Sequence, residues 1–137
     1  MIDCPLCSDT GQDILWRDDL CRVILVGDAD YPGFCRVILN RHIREMTDLD
    51  AVECQRLMAV VFAVEAAVRE VLQPDKINLA SLGNMVPHVH WHVIPRFSDD
   101  RHCPDASWAA PRRPGAPHAP GDLRLRLEKA LAANLPE

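Results

Sequence analysis

Three histidines at alternate positions, His88, His90 and His92, lie within Pro87-His88-Val89-His90-Trp91-His92-Val93-Ile94-Pro95-Arg96. A β-strand sends successive side chains to opposite faces. Read as a strand, the segment therefore shows three imidazoles on one face and Val89, Trp91 and Val93 on the other. Neighbouring imidazoles are about 6–7 Å apart along such a strand, so the row is about as long as a short phosphate chain. A lone strand histidine is usually filler. Three in alternation, away from either terminus, point to chemistry. Imidazole serves as nucleophile, proton donor or metal ligand, and spacing alone leaves catalysis and metal binding both open.

Cys4-Pro5-Leu6-Cys7 is a second candidate. Two thiolates with two residues between them can grip one zinc ion, and this is half of a four-ligand site. A redox pair and two inert thiols are the alternatives. The thioredoxin-like version needs a preceding strand in a βαβ unit, and none precedes Cys4. Cys21, Cys35 and Cys54 fall in expected strands or a helix, where free thiols behave as small apolar groups. Cys103 lies in a loop and is assigned no role. His42 is placed where an expected strand ends.

The elements that must position these residues follow in order. Strands are expected over Ile14–Arg17, Cys21–Val26 and Phe34–Leu39, with loop chemistry at Gly27–Gly33. Thr47 is the expected N-cap of a long helix running to Leu72. Its stripe of Leu57, Val61, Val64, Val68 and Val71 builds a core. Gln73-Pro74-Asp75 stops it. Lys76–Leu82 alternates imperfectly as a strand, and the Gly83–Pro87 turn joins it to the triad strand as an antiparallel pair. Pro104, Pro111, Pro114, Pro117 and Pro120 make 98–121 an extended segment. Trp108 inside it is expected to pack on something. Asp122 is the expected cap of a last helix reaching about Ala133. No internal repeat and no second domain is expected.

Composition sets outer limits. The chain has 137 residues, 48% apolar and 26% charged, with net charge −5, an ordinary soluble single-domain profile. Arg112-Arg113 is the only adjacent basic pair, so no nucleic-acid surface is expected. There is no run of about 18 apolar residues. The start Met1-Ile2-Asp3-Cys4 is unlike a signal peptide. No membrane association is expected, and the expected compartment is the cytoplasm.

His88-Val89-His90-Trp91-His92-Val93-Ile94 resembles the signature of the histidine triad (HIT) family, His-φ-His-φ-His-φ-φ with φ apolar. Asn40-Arg41-His42-Ile43 is similar to the family's Lys/Arg-His-Ile step before its long helix. The resemblance covers roughly residues 1–97. It implies an α+β fold: an antiparallel sheet of about five strands with one long helix, a C-terminal helix and a two-fold dimer. The domain core is then 1–97, followed by the Pro-rich segment 98–121 and a C-terminal helical segment 122–137 on the same domain.

The resemblance also implies hydrolases and transferases that cleave at the α-phosphate of nucleoside phosphoramidates or dinucleoside polyphosphates, with purine nucleotides as substrates. By matching position His90 is the nucleophile, His92 stands at the leaving-group side, and His88 and His42 support. Asn78 and the Gly83–Pro87 turn with Asn84 fall where members carry nucleotide-contacting residues, and Trp108 looks like a C-terminal aromatic of the family. Some members begin with a Cys-x-x-Cys that binds zinc with two histidines, here Cys4, Cys7, His42 and His88. Such a closed set is structural and leaves chemistry to His90 and His92, a route that requires no metal. Trp91, bulkier than the family needs, and the tail point to a distinct branch. Two further functions stay open: a nucleotide-binding regulatory protein with little turnover, and a zinc-stabilised binding module.

Overall fold

Cys-Arg-Val-Ile-Leu occurs twice, at residues 21–25 and 35–39, a short repeat not anticipated above. The computed structural model, which describes residues 4–135, pairs the two copies antiparallel. Residues 1–3 and 136–137 of the expected spans lie outside the described residues. Five strands form one antiparallel sheet: β1 (Asp13–Arg17), β2 (Cys21–Leu25), β3 (Cys35–Leu39), β4 (Lys76–Ala80) and β5 (His90–Arg96). Their order is β1-β2-β3-β5-β4. Helices α1 (Ala51–Leu72) and α2 (Leu123–Asn134) complete the fold, which is the expected α+β arrangement.

Strand alternation divides the sheet into two chemically different faces. Cys21, Val23, Cys35, Val37, Leu39, Val93 and Ile77 face Leu57, Val61, Val64 and Val68 of α1, and α2 adds Leu127 and Leu131 to this core. Burial pushes the Cys21 and Cys35 thiols up to about 12, so both act as small apolar groups, as expected. The register sets Arg36 opposite His92 and Ile38 opposite His90. The other face therefore carries Arg22, Arg36, His90, His92 and Arg96, with a small cluster of Tyr31, Phe34 and Ile94.

Several boundaries differ from expectation. The cap of α1 is Asp50, not Thr47. Asp50 accepts from the Glu53 N–H while Glu53 accepts from the Asp50 N–H, and this reciprocal capping box displaces the earlier start. Met46–Asp48 forms a 3-10 turn instead. Regular pairing of β5 begins at His90, not His88. His88 is turned aside because its N–H bonds to the Val86 carbonyl (2.8 Å). Strand β4 ends at Ala80, short of Leu82. Asp122 precedes α2 but makes no side-chain cap bond, its backbone being left-handed (φ 56°).

Gly33, in the β2–β3 connection, has φ +88°, and a Cβ there would lie 2.6 Å from Leu72 Cδ1. Only glycine meets both demands, and the turn it makes delivers Phe34 to the histidine face. Among the described residues no helix is long and apolar enough to cross a membrane.

Candidate active site and metal cluster

His90 opens β5 and is largely buried. Its Nδ1 lies 2.6 Å from the His88 carbonyl. A carbonyl only accepts, so Nδ1–H donates, and Nε2 is left with its lone pair. Ser81 steadies the same residue from the other side, its Oγ–H donating to the His90 carbonyl (2.9 Å). The His90 and His92 rings meet edge-on with centroids 5.0 Å apart.

His92 has the opposite tautomer. Arg36 Nε–H donates to its Nδ1 (3.2 Å), so the proton of the neutral ring sits on Nε2. Burial, then the charge of Arg36, then His90 push its pKa down to about 4. In the free protein His92 is thus neutral at pH 7 and offers one N–H toward the site. Phe34 lies beside both groups, its ring 5.6 Å from that of His92 and its centroid 5.4 Å from the Arg36 guanidinium carbon.

His88 faces away from this pair. It is fully buried, and its Nε2–H donates to the Leu39 carbonyl (2.7 Å), which aims Nδ1 at the N-terminal thiols. Cys4 Sγ is 3.5 Å and Cys7 Sγ 3.7 Å from it. Cys7 Sγ is also 3.3 Å from His42 Nδ1. All four donor atoms lie within 4.8 Å of one another. Tetrahedral zinc with bonds of about 2.0–2.3 Å sets its donors about 3.5 Å apart. Three donor distances fall near that value and the rest lie within 4.8 Å, and the Leu39 carbonyl supplies the outer hydrogen bond that metal-bound histidines require. Cys4, Cys7, His42 and His88 could hold a metal ion.

Arg22 holds the Cys4–Cys7 hook in place. The guanidinium is buried and donates to the Leu6 carbonyl (2.8 Å), the Ser8 carbonyl (3.4 Å), Gln12 Oε1 (2.7 Å) and Asn40 Oδ1 (3.3 Å). Its Nη1 also lies 3.5 Å from the Leu39 carbonyl that anchors His88. At the far end of β5, Arg96 donates to both Asp100 oxygens (2.8 and 3.0 Å), to Asn78 Oδ1 (2.8 Å) and to the Asp105 carbonyl (2.7 Å). Burial acts to raise the Asp100 pKa. The Arg96 bonds and the Phe97 and His102 N–H groups outweigh it and hold the carboxyl below the usual range. Tyr31 OH joins through Asp100 Oδ1 (3.3 Å) and His102 Nδ1 (2.6 Å). Arg113 adds bonds to the Asp100 and Cys103 carbonyls. The Pro-rich segment is tied to the sheet through this network.

The structure thus sets the His90 and His92 rings side by side and gathers Cys4, Cys7 and His42 around His88. The Asn78 carbonyl oxygen is occupied by Arg96. Asn84 is exposed on its turn. Trp108, expected to pack, is instead 60% exposed, because Arg96, Asp100 and Arg113, not the indole, anchor its segment. Sequence reasoning missed Arg22, Arg36 and the Arg96–Asp100 pair. The repeated pentapeptide was the available signal for the first two.

Residues 9–99 match the HIT domain, and the chain belongs to the HIT family. Two curated relatives are an AP-4-A phosphorylase of Mycobacterium tuberculosis and a bis(5'-nucleosyl)-tetraphosphatase (asymmetrical) of Schizosaccharomyces pombe. The first is 28% identical over 70% of this chain and 52% of its own length. The second is 28% identical over 66% of this chain and 52% of its own length. The chain therefore spans about half the length of these relatives. A histidine triad protein from Marinobacter aquaeolei VT8 superposes with TM-score 0.74 at 29% identity, covering 90% of this chain and 91% of that one.

Proposed function

We propose that the protein is a nucleotidyl hydrolase or transferase acting at the α-phosphate of a purine dinucleoside polyphosphate or nucleoside phosphoramidate. The observation that carries this reading is the 2.6 Å bond from His90 Nδ1–H to the His88 carbonyl. It fixes the tautomer that presents the Nε2 lone pair, the form a nucleophilic imidazole needs. A neutral attacker suits an anionic phosphodiester, which repels anionic ones.

His90 Nε2 attacks the α-phosphorus, the bond to the leaving group breaks, and a nucleotidyl-imidazole forms. Water then displaces the histidine. His92 presents Nε2–H toward the leaving-group side. Asn84 and the backbone N–H groups of its turn are the proposed partners of the phosphoryl oxygens. Asn78 and Trp108 are the remaining proposed nucleotide contacts. The names of the two curated relatives, one a phosphorylase and one a tetraphosphatase, support the nucleotide class.

Zinc is the ion proposed for Cys4, Cys7, His42 and His88, since two thiolates with two imidazoles match its preference. Four protein donors leave no position for water, so its part is structural: it would fix His88, whose carbonyl orients His90. His42 then serves the metal and not the substrate. A homodimer is also proposed. Strand β4 leaves one edge unpaired among the described residues, and such edges invite pairing. A monomer mass at micromolar concentration would remove that part.

Single-turnover mass spectrometry with adenosine phosphoramidates and dinucleoside polyphosphates tests the whole reading. Wild type should give a nucleotidyl adduct on His90. His90→Ala should give none and lose turnover by at least about 10⁴-fold. Nucleotide binding without adduct or turnover in wild type would sink the enzyme and favour a binding protein.

A further inference from the structure

Three arginines project onto the histidine face, and the chain satisfies them unequally. Arg22 and Arg96 spend their N–H groups on carbonyls, amides and a carboxylate. Arg36 spends only Nε–H, on His92. Among the described residues its two terminal amino groups meet no acceptor. It also makes no ion pair there, the Asp28 carboxylate acting on it only at longer range. No buried side-chain nitrogen in the described structure lacks a partner, so these amino groups reach solvent although the residue is half-buried. A half-buried cation with open donors, fixed beside a triad histidine, has the chemistry to receive an anion. The planar fork of a guanidinium matches two phosphate oxygens at once.

The register says which part of a substrate it meets. Arg36 stands opposite His92, whereas the residue opposite His90 is the apolar Ile38. Charge is thus offered on the leaving-group side and not around the nucleophile.

We propose that Arg36 holds the departing phosphate chain of a phosphoanhydride substrate, and thereby selects phosphate leaving groups over amines. The inference rests on the nucleotidyl-transfer reading above and narrows its substrate class. In the first step the His90 Nε2–P bond forms and the bridging P–O bond breaks, its electron pair going to the terminal oxygen of the departing nucleotide. That oxygen's charge is met by the Arg36 amino groups, and no proton need be delivered to it. In the second step water bonds to phosphorus and loses a proton to solvent. The P–N bond breaks and its pair returns to Nε2. A dinucleoside tetraphosphate plus water yields a nucleoside monophosphate, a nucleoside triphosphate and a proton. An amine leaving group, by contrast, must be protonated as the P–N bond of the substrate breaks. A fixed cation beside His92 opposes a second positive charge there.

The test compares kcat/KM for diadenosine tetraphosphate and adenosine 5'-phosphoramidate in wild type, Arg36→Gln and Arg36→Lys. Wild type should prefer the tetraphosphate. Arg36→Gln should lose about 100-fold on the tetraphosphate, the usual cost of one transition-state donor, and distinctly less, about tenfold, on the phosphoramidate, which shares only the Arg36 bond that orients His92. Arg36→Lys should recover part of the tetraphosphate loss, since it restores charge without the fork. Equal losses on both substrates, or a wild type that prefers the amine, would overturn the proposal while leaving His90 chemistry standing. If thermal melts show that Arg36→Gln does not fold, inorganic tripolyphosphate decides: it should inhibit wild type competitively against the tetraphosphate, and absence of inhibition overturns the assignment. A wild type with neither turnover nor a His90 adduct overturns this proposal together with the reading it rests on.

Discussion

Strands β2 and β3 carry the same five residues, yet their arginines have opposite fates. Arg22 is enclosed by the N-terminal hook and saturated with hydrogen bonds. Arg36 is half-open and holds a triad histidine with a single N–H. Both lie on the same face, since antiparallel pairing sets Arg22 opposite Ile38 and Arg36 opposite Ile24. The difference comes from what the third element brings. Leu6, Ser8 and Gln12 cover one arginine, whereas β5 lays His92 beside the other. Identical sequence therefore builds a fastener at one place and a charged contact for a ligand at another. Surroundings, not propensity, make the distinction.

Three experiments bear on that contrast, in order of expected effect. Cys4→Ser should abolish stoichiometric metal and lower stability by about 4 kcal/mol, the cost of opening a long cross-linked loop. For a domain of this size that is about 14 °C in Tm. Metal analysis and thermal melts report it, and an as-purified wild type without metal, unmoved by chelators, would remove zinc from the account. Next, Arg22→Met should cost about 3 kcal/mol by stranding carbonyls and amides, and should weaken metal binding about 10–100-fold. Calorimetric unfolding and metal competition measure both. Arg36→Met should do neither; equal destabilisation by the two changes would erase the contrast.

The third concerns Arg96, saturated like Arg22 but by a carboxylate. Asp100→Asn should cost about 3 kcal/mol at pH 7, the lower end of the range for breaking a buried pair. Its sign with pH is definite. The folded pKa of Asp100 lies below the ordinary value, near 3.9 when unfolded. The unfolded chain therefore takes up the proton first. The stabilisation is whole above about pH 4 and fades as pH falls toward the folded value. Urea midpoints from pH 7 to 3 should drop in wild type below about pH 4 and narrow the gap to Asp100→Asn. Parallel curves would dismiss the pair as the source.

Much of the arrangement was legible in the sequence because its signals are local. Alternation from His90 onward and the stripe from Leu57 to Val71 read directly as strand and helix, and Cys4-x-x-Cys7 announced a donor pair. The missed features depend on partners far along the chain. Arg36 acquires meaning only beside His92, 56 residues on, and Arg22 only beneath Leu6 and Ser8. Thr47 lost its capping role to Asp50 because Glu53 answers Asp50 reciprocally, a contest between two plausible starts three residues apart. His88 fell out of the strand because Val86 captured its N–H, which pattern alone does not disclose.

The metal-donor cluster also has a history in time. Cys4 and His88 are 84 residues apart in the chain. A ribosome releases the N-terminus first, so the two thiols emerge long before the histidine that completes their set. The nascent chain therefore carries them as an open pair through the making of α1 and β4. The donors can converge only when β5 docks onto β3, which makes their convergence a late marker of correct assembly.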